Sequence, residues 1–225
     1  VSALQLLGVA LAGTMVALDA TSVVQAMISR PLVAGLLGGA MTGAPLPGLA
    51  LGALLELFAM ETLPVGASRY PDWSPGAVAV GALAGTRALT PPGVLALVLL
   101  ATLGAWAGGW MSHWVRRANA HAVATRHAQL DQGDARALLA IQRGGLLRDA
   151  VRGLLLTALV FSIGEWLLPL VARRPGSFAA ARIALTATSV GVALHAGWRF
   201  AGRGKTAWLA GGIAAGALAE VLWLR

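Results

Sequence analysis

The stretch LGALLELFAMETLPVGASRYPDW, residues 51–73, begins as a lipid-soluble helix and then sets Glu56, Glu61, Arg69 and Asp72 where the apolar pattern should continue. A carboxylate at mid-membrane costs about 2.5–3.5 kcal/mol on insertion scales, so such residues face a protein interior or a watery cavity rather than lipid. On one continuous helix Glu56 and Glu61 would lie roughly 140° apart and share no face. A break at ETLPVG lets both approach one cavity. Backbone interrupted in this way persists at membrane depth only where protein or water covers it. The stretch therefore predicts an all-α, polytopic transmembrane helical bundle with short broken or re-entrant segments.

Composition agrees. The 225 residues are 57% hydrophobic and 12% charged, against roughly 25% charged in a soluble domain, and mean hydropathy is +0.74. The net charge of +8 comes from basic residues set between apolar blocks, the pattern of cytoplasmic membrane loops and not of a nucleic-acid surface. Cysteine is absent, which excludes disulfides, thiolate metal sites, cysteine nucleophiles and a phosphocysteine relay on this chain. The first residues, VSALQLLGVALAGTMVAL, lack a basic leader and a clear cleavage site and are expected to form a retained membrane segment.

Outward from the central stretch, residues 20–30 read as a half-buried helix that stops before Pro31, and 32–60 hold two apolar pieces too short to span, split at TGAPLPG. Residues 74–89 suit a re-entrant segment. Residues 90–114 form a full span ending in Trp106, Trp110 and Trp114, an interfacial aromatic cluster. Residues 115–152 carry seven arginines and are assigned to the cytoplasm, with two helices flanking a turn at DQGD. Three further spans are expected near 153–172, 178–198 and 206–224. The whole chain, 1–225, thus reads as a single membrane domain: broken segments and the candidate site in 1–90, an amphipathic cytoplasmic segment at 115–152, and three spans in 153–225. A faint echo joins GALLEL at 52–57 to GALAEV at 216–221. The glycines of GAWAGGW (104–110) and AGGIAAGALAE (210–220) suit close packing against a partner helix.

Candidate substrate-binding residues are Glu56, Asp19, Asp72, Gln25, Arg30 and Glu61, a set able to hold sugar hydroxyls through paired hydrogen bonds. Each has a structural alternative. Glu56 can pair with Arg30 or Arg69 inside the bundle, Asp19 can cap the segment after it, Asp72 can cap the segment after Pro75, and Arg30 can snorkel to an interface. His113, His121, His127 and His195 lack metal-ligand spacing, and GRGKT at 202–206 lacks the first glycine of a phosphate loop. No catalytic residue, metal or cofactor is expected.

In order along the chain, LD at 18–19, SRPLVAGLLGGAMTG at 29–43, GLALGALLELFAMETLPVGASRYPD at 48–72 and GAVAVGALAG at 76–85 resemble the membrane subunit IIC of the mannose/fructose/sorbose class of the bacterial phosphotransferase system. The polar stretch from RANAHA to QGDARALLAIQRGGLLRDAVRG is similar to that family's cytoplasmic segment, so the resemblance covers about residues 15–155. It implies a multi-pass subunit of the bacterial inner membrane, hetero-oligomeric with a IID-like membrane subunit. It also implies a hexose-type sugar passed to a histidine-phosphorylated IIB protein charged by IIA. Glu56, Asp72, Asp19 and Arg30 fall on the family's L-E-L, P-D, L-D and R-P positions. Two other classes stay open: a proton- or cation-coupled carrier using Glu56 and Glu61, and a non-transporting assembly or regulatory subunit.

Overall fold

The computed structural model describes residues 1–23, 25–61, 69–200, 206–207, 211–212 and 214, and among these every regular element is a helix. The expected span at 206–224 and the echo at 216–221 lie almost wholly outside the described residues.

Helix α1 (Ala3–Thr21) starts in a capping box between Ser2 and Gln5. At 1.5 Å per residue it is roughly 28 Å long, the thickness of a hydrocarbon core. Its Val9, Ala12, Gly13, Val16 and Ala17 are buried while Leu4, Leu7, Leu11 and Met15 are exposed. Small residues turn inward and large ones outward, because lipid solvates leucine as well as protein does and close approach is what remains to be gained. A Cβ at Gly13 would collide with Thr157, and one at Gly153 with Ala17, so α1 runs antiparallel to α7 (Ala135–Ala172) at near contact.

Three short helices follow. Helix α2 (Pro31–Met41) and α3 (Pro45–Ala59) form a hairpin whose turn contains Gly43 at φ +82°, a conformation glycine adopts without penalty. A Cβ on Gly35 would stand 2.8 Å from the Gly52 Cα, so the two helices meet backbone to backbone. Helix α4 (Ser74–Leu83) is only ten residues, about 15 Å or half a bilayer, and all ten are buried. It packs on α2 at Gly35, Gly38 and Gly81. Of the segment at 74–89 read as re-entrant from the sequence, the first ten residues form this helix.

Helix α5 (Pro91–Ala124), capped by the Thr90 hydroxyl, and α7 are 34 and 38 residues long, roughly 51 and 57 Å. Both exceed any bilayer and project on the same side as an antiparallel stalk. Short α6 (His127–Asp131), a turn at Gly133 with φ +75° and the Asp134 cap of α7 close it. The spans expected at 90–114 and 153–172 therefore do not end where the arginines begin: helical hydrogen bonding continues through the polar sequence. Helix α8 (Phe178–Phe200) packs against α3 and α5. Among the described residues, four helices, α1, α5, α7 and α8, are long and apolar enough to cross a membrane.

One expectation fails. Residues after Thr21 do not form a half-buried helix: Gln25 and Met27 have φ of 53° and 62°. The cause is Asp19, whose carboxylate accepts the amides of Ala26 (2.5 Å) and Ser29 (2.9 Å) and so takes donors a helix would have used.

Candidate functional site

The site forms where the broken segments end, level with the base of the stalk. Residues 70–72 lie as an extended strap on α5. The Asp72 amide donates to the Ala105 carbonyl at 2.8 Å, and the strap fits because Gly108 and Gly109 have no side chains: a Cβ on either would strike Asp72 or the Tyr70 carbonyl. These glycines of GAWAGGW are thus occupied by the chain itself, not by a partner helix.

The strap delivers Asp72, buried, to Arg152 of α7, whose side chain is 1% exposed. The Arg152 Nη1 ion-pairs with Asp72, Nε donates to Asp149 at 3.1 Å, and Nη2 reaches the Ala17 carbonyl at 3.4 Å. Asp149 also accepts the hydroxyls of Thr21 (3.1 Å) and Ser22. One guanidinium therefore joins α1, α7 and the start of α4, sharing its charge between two carboxylates and leaving the trio net negative. Asp72 additionally caps α4 by accepting the Ser74 amide at 3.4 Å, and the Ser74 hydroxyl donates to the Ser29 carbonyl at 2.7 Å.

Glu56 stands in the last turns of α3 and ion-pairs with Arg30, while its second oxygen accepts the Leu32 amide at 3.3 Å. It thereby satisfies one of the open donors at the N-terminus of α2. This is the pairing that the sequence offered as the alternative to ligand binding. Arg30 itself is half exposed, with 52% of its side chain accessible.

Two adjoining cavities open here. The first, about 180 Å³, is lined by Ser29, Arg30, Asp72, Trp73, Thr21 and Ser112 among others. The second, about 480 Å³, adds Ser22, Gln25, Arg116, Asn119 and Asp149, and Thr21, Tyr70 and Ser112 line both. Trp73 is buried and stacks on Phe58, with ring centroids 6.1 Å apart and planes inclined by 22°. Its indole N–H has no acceptor among the described residues. A buried donor without a partner is costly and marks a place where an acceptor is expected to arrive.

Of the six sequence candidates, Arg30 and Asp72 meet in the first cavity and Gln25 lines the second. Asp19 and Glu56 sit behind these walls, holding the 22–30 turn and the start of α2. Glu61, exposed beyond α3, lines neither cavity. Sequence reasoning missed Arg152, Asp149, Trp73 and Tyr70. A signal for the first two was present: an acid and an arginine three positions apart at the point where the polar segment becomes an apolar run. The lining offers donors and acceptors for a neutral polyhydroxyl ligand. No group of three or more metal-ligating side chains exists among the described residues.

The profile of the PTS system sorbose-specific IIC component family matches residues 3–173. Among solved structures, one of a membrane protein is similar with a TM-score of 0.76 at 18% identity, covering 100% of this chain and 96% of that one. A chain of the mannose transporter ManYZ in complex with microcin E492, solved by cryo-electron microscopy, is similar with a TM-score of 0.63 at 18% identity, again covering 100% and 96%. At such identities the likeness establishes a shared fold. No curated protein matches the sequence.

Proposed function

The chain belongs to the PTS sorbose-specific IIC component family and is a multi-pass membrane protein, and from that premise we propose that it is the sugar-translocating subunit of a mannose/fructose/sorbose-type phosphotransferase complex. The observation that carries this reading is the convergence of Arg30, Asp72 and Trp73 on one polar cavity at the ends of half-length helices, the Trp73 indole N–H being buried without an acceptor among the described residues. Such a cavity suits a hexose, whose hydroxyls both donate and accept. Arg30, Asp72, Trp73 and Gln25 contact the sugar in this proposal, while Glu56 and Asp19 set the positions of Arg30 and of the 22–30 turn. No role is proposed for Glu61.

The stalk of α5 and α7 is assigned to the cytoplasm by its arginines, so both cavities open toward the side where a phosphorylated IIB protein would receive the sugar. A IID-like membrane subunit is the proposed companion, in keeping with the two-component name of the ManYZ transporter. The bacterial inner membrane is the proposed location. A sugar carries no charge and brings no coupling ion to the site, and chemical trapping by phosphorylation supplies direction.

The test is reconstitution of the chain with its membrane partner in liposomes containing IIB, IIA and a phosphoryl donor. Labelled hexose should accumulate inside only as the sugar phosphate and only with phosphorylated IIB present. Accumulation of free sugar driven by a pH gradient without phosphotransfer would overturn the reading in favour of a coupled carrier.

A further inference from the structure

One face of α5 changes character along its length. Leu95, Leu99 and Leu103 are exposed, and the stripe continues as Trp106, Trp110 and Trp114, each more than half exposed. Over about five turns it passes from aliphatic to indole, and arginines follow at 116 and 117, the order in which a bilayer passes from acyl chain to interface to headgroup. Guanidinium groups cover these rings. Arg69 lies 4.1 Å from the Trp110 centroid, Arg116 5.4 Å from Tyr70 and Arg117 5.9 Å from Trp114.

Beside Trp110 is a depression of about 340 Å³ lined by Arg69, Tyr70, Trp106, Gly109 and Trp110. Its shape is fixed by the backbone, because Gly109 admits the Tyr70 carbonyl and the Asp72 amide is bonded to Ala105. Among the described residues neither Arg69 nor Arg117 pairs with a carboxylate. A guanidinium stacked by its face keeps its in-plane N–H groups for a bidentate oxyanion.

We infer that this depression binds the phosphodiester of an anionic phospholipid, with Arg69 as the bidentate donor, the indoles of Trp106 and Trp110 at the glycerol level and an acyl chain along Leu103 and Leu99. Charge selects the lipid class: a choline or ethanolamine headgroup would set a second cation beside the Arg69 guanidinium, whereas phosphatidylglycerol adds none. The continuous aliphatic stripe above the depression distinguishes a lipid from free phosphate, which would use the arginine alone.

The experiment uses the full chain, purified with its membrane partner in mild detergent. Thermal unfolding is followed while phosphatidylglycerol, phosphatidylcholine or inorganic phosphate is titrated in. Wild type and a distant stalk variant, Arg136→Gln, should be stabilised by phosphatidylglycerol alone. Arg69→Gln should weaken that response about tenfold, and Arg69→Lys, which keeps charge but loses the fork, should fall between. Equal stabilisation of Arg69→Gln and wild type would overturn the inference, as would equal effects of the three additives. Shielding of Trp110 from brominated phosphatidylglycerol, detected as unchanged quenching in Trp110→Phe, would also overturn it by showing that the partner covers this face. Should Arg69→Gln fail to fold, the lysine variant decides through the same titration.

Discussion

At the scale of the residue, two buried groups pose opposite problems. Trp73 carries a donor with no acceptor among the described residues, and Arg152 carries a charge shared between two carboxylates. Trp73→Phe keeps an aromatic ring against Phe58 but removes the N–H together with part of the indole's volume, so the sugar-free protein should lose some stability. If a sugar oxygen accepts the indole N–H, affinity also falls about five- to tenfold, the value of roughly one hydrogen bond. Isothermal titration and thermal melting on one sample check both, and unchanged affinity removes the indole from the site. Arg152→Met, by contrast, leaves Asp72 and Asp149 buried without their cation and should cost about 3–5 kcal/mol, whereas adding Asp72→Asn to it should recover part of the loss. Lysine cannot reproduce the fork that serves both acids and should fall between. Denaturation in detergent across the three variants measures this. The Glu56–Arg30 pair and the capping role of Asp72 were both legible as structural alternatives, since each follows from a charge placed at the edge of a helix. Arg152 was less so: the positive-inside rule accounts for every arginine in the run equally, and only its place three residues after Asp149, where the apolar run begins, sets it apart.

At the scale of the element, glycine marks where helices touch. Gly35, Gly38 and Gly81 bring α2 and α4 within backbone contact, so Gly38→Ala must displace the Val78 carbonyl and should destabilise by about 1–3 kcal/mol. Gly144 and Gly145 lie in the stalk part of α7, where an added methyl would meet only ordinary contacts at 3.4 and 3.6 Å. There alanine should gain up to about 1 kcal/mol through helix propensity alone. Thermal melting of Gly38→Ala beside Gly144→Ala separates a packing glycine from a permissive one, and equal effects would refute the assigned α2–α4 contact. The sequence showed the short apolar pieces and their Pro/Gly boundaries because hydrophobic length and breakers are local properties. It misled at 22–30, where a helical pattern lost its amides to the Asp19 carboxylate, and at 104–110, where glycines suited to a partner helix admit the chain's own strap. The first rests on a carboxylate that reaches amides a short way along the chain and the second on residues 70–72 meeting α5, and hydrophobic periodicity encodes neither.

At the scale of the whole molecule, the antiparallel pairing of α1 with α7 and of α7 with α5 sets the Asp72–Arg152–Asp149 cluster at the base of the stalk, and the orientation of the stalk decides which compartment the cavities face. Arginines at 116, 117, 126, 136, 143 and 148 make its transfer across the membrane costly, so the proposed reading puts the stalk in the cytoplasm. The absence of cysteine makes the question accessible to single introduced thiols. Ala124 and Ala135 are exposed at the far end of the stalk, while Ser177 is exposed between α7 and α8 at the opposite end of the spanning part. An impermeant thiol reagent applied to intact cells should label Ser177→Cys and leave Ala124→Cys and Ala135→Cys unmodified, and inverted vesicles should reverse the pattern. Labelling of both stalk positions in intact cells would place the cavities on the outer face. The sugar would then have to leave the site away from the cytosolic phosphoryl donor, and the proposed direction of transport would fail with the topology.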